Sequence, residues 1–150
     1  MSRSNLTTRV LTAIVGLPIV VLLVGWAPPW AWALTVLAAA AVGGHELFGM
    51  SHGSDRVARG AGAVLCAGVA AGLYLGARDP RGPLTVALLV PIAGSLLALW
   101  RPGEIATAGL RLALSMAGPL WVGGMIATLA LVHRDGAPNG PRLVALAMSL

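Results

Sequence analysis

The chain has no lysine, one cysteine, one phenylalanine and one tyrosine, and only 10% of its 150 residues are charged. Each scarcity narrows the possibilities. Cys66 is alone, so it forms no internal disulfide, and its place inside an apolar run gives it the role of a small buried hydrophobe. The sequence holds no GxxxxGK[ST] loop, no GxSxG elbow and no CxxC pair, the usual marks of soluble nucleotide, acyl-transfer and thiol chemistry. Its acids, Glu46, Asp55, Asp79, Glu104 and Asp135, are too scattered to make a pair of carboxylates or a two-metal site. All ten basic residues are arginine, spread about two to a polar segment without interleaved aromatics. That is not the footprint of a nucleic-acid binder, and the net charge of +5 suits an anionic lipid surface instead.

What the sequence has in abundance is apolar length. Hydrophobic residues make up 57% of the chain and the mean hydropathy is +0.86, the balance of a membrane protein. Five runs are long enough to cross a bilayer: 10–27, 30–48, 60–77, 83–100 and 112–132. They are continuous rather than alternating, which favours helices over barrel strands. A further apolar run, 143–150, would rise only ~12 Å as a helix, so it reads as the start of a sixth span in a longer protein. The expected architecture is an all-α polytopic transmembrane bundle with five complete membrane helices and the start of a sixth.

Local features refine that picture. Arg3 and Arg9 precede the first run as they would in a secretory signal, but no small-residue cleavage site follows, and Ala27-Pro28-Pro29 fits a tight helical hairpin. Trp26, Trp30 and Trp32 bracket that turn, where indoles favour the headgroup level. The arginine-bearing tail followed by an arginine-free first loop places the N-terminus in the cytoplasm. Gly60-Ala61-Gly62, Gly68, Gly72 and Gly76 suggest a small-residue packing face on the third helix, and Pro18 and Pro91 fall inside helices one and four. Pro102-Gly103-Glu104 breaks the fourth helix, leaving Ile105 to Arg111 as a short interfacial helix.

Chemistry concentrates in AVGGHELFGMSHG, residues 41–53. His45-Glu46 lacks the second histidine of an HExxH zinc site. The next histidine, His52, lies two turns on, ~10.5 Å along the axis, too far for one metal ion to bridge. No metal site is assigned. Glu46 remains the candidate functional acid, because a carboxylate in or near hydrocarbon is costly unless paired or hydrated. Pairing with Arg56 or Arg59, or escape to the interface, is the plain structural alternative. Arg9, Arg56 and Arg59 are candidate contacts for lipid head groups. His133-Arg134-Asp135 reads as a solvated helix end.

Several motifs together resemble the N-terminal portion of the phosphatidate cytidylyltransferase (CDP-diacylglycerol synthase) family. They are Leu6-Thr7-Thr8-Arg9-Val10-Leu11-Thr12-Ala13-Ile14 with Pro18-Ile19, the Pro28-Pro29-Trp30 turn, Glu46, and Gly118-Pro119-Leu120-Trp121-Val122-Gly123 leading to Leu131-Val132-His133-Arg134. The sequence departs from the family pattern in His45, where an aromatic is usual beside the glutamate, and in Trp121, where a tyrosine is common. The resemblance implies a membrane enzyme, expected in a bacterial inner membrane, that transfers CMP from CTP to phosphatidic acid and releases pyrophosphate. It implies Mg2+ or another divalent cation, held by a C-terminal signature that has no match in these residues. On that basis the chain is expected to be the non-catalytic front of the enzyme, with the phospholipid bilayer as its immediate partner. The alternative is a small non-enzymatic polytopic protein, such as a transporter subunit or assembly partner.

Overall fold

The computed structural model describes residues 14, 16, 18–53, 55–100 and 103–149. Among them there are helices and no strands. Helical residues 18–26 (α1) are followed by α2 (Pro29–His52), α3 (Arg56–Gly76), α4 (Arg81–Trp100), α5 (Ile105–Asp135) and α6 (Gly140–Ser149). By length and composition, the four helices α2 to α5 are able to cross a membrane. Even the shortest of these, α4 with 20 residues, reaches about 30 Å at a rise of ~1.5 Å per residue. Its Leu84, Leu88, Leu89, Ile92, Leu96 and Leu99 are all exposed, an apolar surface that water would penalise and lipid solvates. The chain is therefore an integral membrane protein.

Four spans are thus seen where the sequence suggested five and the start of a sixth. The run 10–27 lies partly outside the described residues, as do Arg9 and the Leu6 to Ala13 motif; α6 has 10 residues. Helix boundaries also shift. Helix α2 continues to His52 rather than stopping near Phe48. Helix α3 starts at Arg56 because Asp55 caps it, its carboxylate accepting from Val57 N at 3.0 Å and Ala58 N at 3.2 Å. Asp79 likewise accepts from Arg81 N at 2.9 Å and opens α4 two residues earlier than the apolar run suggests. The separate interfacial helix at 105–111 is corrected outright. Gly103 turns the chain at φ +61°, the Glu104 carbonyl accepts from Thr107 N at 3.1 Å, and α5 then runs unbroken for 31 residues.

The chain divides into two compact units, Met1–Trp32 with Val132–Leu150, and Ala33–Leu131. In the second unit, Ala40, Ala70 and Ala127 meet from α2, α3 and α5, with Leu37, Leu73 and Ile126 packed around them. Alanines at the centre let helix backbones approach closely, which in lipid substitutes packing for a hydrophobic driving force. Of the expected small-residue face of α3, Gly62, Gly72 and Gly76 do meet neighbouring helices, while Gly60 and Gly68 face open space; Ala58, Gly62, Cys66 and Ala70 are buried at spacings of four. A Cβ at Gly62 would strike the Phe48 ring, and one at Gly72 would meet Val86 of α4 at 2.7 Å. Cys66 is buried, as expected of it.

Two prolines sit inside membrane helices, Pro91 in α4 and Pro119 in α5. Each removes one intrahelical donor. For Pro119 the carbonyl deprived is that of Ser115, and Gly94 of α4 lies directly against it. A Cβ at Gly94 would overlap the carbonyl oxygen, so glycine alone admits this approach, a Cα–H to carbonyl contact between helices.

In the first unit, His133 Nε2 donates to the Val24 carbonyl at 3.1 Å, and its ring lies 5.9 Å from that of Trp32. His133 is only 6% exposed, which corrects the solvated reading at that residue. Arg134 and Asp135 do form a local pair, Nε to Oδ1 at 2.7 Å. Trp26 and Trp30 are exposed as an interfacial belt requires, whereas Trp32 is buried.

Candidate functional site

His45, Glu46, His52, Arg56, Arg59 and Arg111 of the second unit lie where α2 ends, α3 begins and α5 begins. The 41–53 stretch forms the last turns of α2, and its periodicity sorts the side chains. Gly44 and Phe48 are buried towards α3: a Cβ at Gly44 would lie 2.6 Å from the Gly62 carbonyl oxygen. Gly43 and Leu47 face α5, against Val122 and Gly118. His45 and Glu46 are left exposed.

Arg59 reaches across from α3. Its Nη2 lies 3.4 Å from His45 Nδ1, and its guanidinium covers Gly49, where a Cβ would sit 3.2 Å from Nε. Glu46, Gly49, Met50 and Arg59 line one open pocket. Among the described residues Glu46 makes no ion pair, and Arg59, one of its two expected partners, is turned to His45 instead. Arg56 is exposed on the first turn of α3.

The two histidines that invited a metal reading have separate surroundings. His52 is 3% exposed and stacked on Phe48, with ring centroids 5.2 Å apart and planes 10° from parallel. Its Nδ1 is 2.8 Å from Ser51 Oγ. No group of three or more His, Cys, Asp or Glu suited to a metal ion occurs among the described residues.

Two residues of this region escaped the sequence reading. Arg111 falls just ahead of the apolar run 112–132, yet α5 begins at Ile105 and puts Arg111 inside the helix, with its guanidinium folded against Gly103. Ser115 lies one turn further and is fully buried. An arginine followed by a serine four residues later in an apolar helix was the available signal, since intramembrane cations call for a partner. Compared with known proteins, the chain matches no family model, no curated protein and no solved structure.

Proposed function

We propose that this chain is the membrane-embedded front of a phosphatidate cytidylyltransferase, the scaffold around which the full enzyme joins CMP from CTP to phosphatidic acid. One observation carries the reading. The segments bearing the resemblance are distant in sequence yet pack on one another: Gly118 meets Leu47 and Val122 meets Gly43, so Gly118 to Gly123 of α5 backs the turns of α2 that present Glu46. Motifs that jointly shape a site need such adjacency, and Glu46 with Arg59 then borders a pocket where a lipid head group could be received.

In this reading residues 10–27 supply a first span and α6 begins a sixth, within a bacterial inner membrane and with the N-terminus in the cytoplasm. The described residues do not offer a fitting ligand set for the divalent cation the reaction would use. By the resemblance, metal binding and nucleotidyl transfer would fall to a C-terminal signature of the family. The role of these helices is to position lipid.

The test is complementation. The gene encoding this chain should restore growth to a bacterium depleted of CDP-diacylglycerol synthase, and Glu46→Gln should abolish rescue at unchanged expression. Residues 1–150 purified alone should show no CTP-dependent turnover. Failure of the intact gene to rescue, with its product present in the membrane, would reject the enzyme in favour of a non-enzymatic polytopic protein.

A further inference from the structure

Four side chains at one end of the second unit carry a buried polar atom without a hydrogen-bond partner: His52 at Nε2, Arg59 at Nε, Arg111 at Nε and Ser115 at Oγ; the Arg59 guanidinium is turned to His45, and the other three lie between α2 and α5. His52 and Ser115 are 3% and 0% exposed. Helices α2 and α5 run antiparallel in a register that sets Gly43 against Val122 and Leu47 against Gly118. Carried on to the end of α2, that register brings His52 level with the turn between Arg111 and Ser115. Arg111 is also close enough to His52 to act on it electrostatically.

Buried polar atoms are ordinarily satisfied, and those that are not call for a specific explanation. The guanidinium Nε–H is a donor only and the Ser115 hydroxyl is a donor as well as an acceptor, so the missing complement is an acceptor. Of the nearby acids, Asp55 caps α3 through Oδ1 and also acts on His52 electrostatically, while Glu46 and Glu104 are exposed. Because an arginine cannot ligate a metal ion, the set selects an anion, and one with several oxygens matches its several donors. Depth points the same way: α5 has 31 residues, about 46 Å, well beyond the ~30 Å hydrocarbon core, so its first turns reach the level where phosphates of lipids lie.

We propose that His52, Arg111 and Ser115 form a binding site for a phosphate group, carried on a phospholipid head group or free in water. The site stands whether or not the chain belongs to the enzyme proposed above, because it rests on unpartnered buried polar atoms, helix register and the nearness of Arg111 to His52.

Isothermal titration of the full chain in dodecyl maltoside, a detergent without phosphate, tests it with two probes, dihexanoyl phosphatidic acid and inorganic phosphate. Saturable binding of the short-chain lipid is expected, weakened about tenfold or more by Arg111→Gln and by Ser115→Ala and unchanged by Arg81→Gln at the first residue of α4. Displacement of the lipid by inorganic phosphate would assign recognition to the phosphate itself; lipid binding without displacement would assign it to the head group. Ser115→Ala guards against misfolding. Its hydroxyl has no partner to lose, so thermal unfolding without ligand should be no lower than that of the parent. Absence of saturable binding of both probes overturns the site, as does undiminished binding by both variants or equal weakening by Arg81→Gln.

Discussion

At the scale of single residues, the decisive property is the presence or absence of a Cβ. Gly62 and Gly60 are both helical glycines of α3, two positions apart, yet only Gly62 is pressed against Phe48. Phe48 is fully buried and has no room to swing aside. Gly62→Ala should therefore lower stability by about 1–3 kcal/mol through overpacking, outweighing the gain in helix propensity. Gly60→Ala meets nothing and should instead raise it, by up to ~1 kcal/mol. Thermal unfolding in detergent separates the two, and similar shifts for both would mean the α2–α3 contact is looser than described. His133 shows the opposite dependence on context. Its fate is decided by Val24 and Trp32, more than a hundred positions away, and no local pattern announces that.

Among elements, the caps decide where helices begin. Asp55→Ala removes the side-chain acceptor for Val57 N and Ala58 N and should cost about 1 kcal/mol, with faster hydrogen exchange confined to the first turn of α3. Unchanged exchange at those two amides would count against the cap. The spans themselves were legible in the sequence because twenty apolar residues in a row have few other structures open to them in lipid. Their ends were less so. Hydropathy sees Arg81 and Arg56 as polar flanks, whereas Asp79 and Asp55 recruit them into helices. Likewise Pro102-Gly103-Glu104 was rightly read as a break, but nothing in Ile105 to Arg111 interrupts a helix once Glu104 has started it. At the candidate site, the adjacency of His45 and Glu46 was plain from the sequence. The choice of Arg59 between them was not, since it turns on the open surface at Gly49 over which the guanidinium lies.

For the whole molecule, the length of α3 sets a topology. Its 21 residues span about 31 Å, so Arg56 and Arg78 should face opposite sides of the bilayer. Arg56→Cys and Arg78→Cys, treated with a membrane-impermeant maleimide in sealed vesicles, should react from opposite faces. The parent should stay unlabelled because Cys66 is buried. Labelling of both from one face would exclude α3 as a span. The same unit also carries a mechanical constraint. Where the Ser115 carbonyl, which Pro119 offers no amide donor, rests on Gly94, both features must coincide at one level of α4 and α5. Sliding either helix by a turn would drive a side chain of α4 into that oxygen. Pivoting about the contact leaves it intact, so this crossing resists the pistoning of α4 along α5 more than it resists tilting.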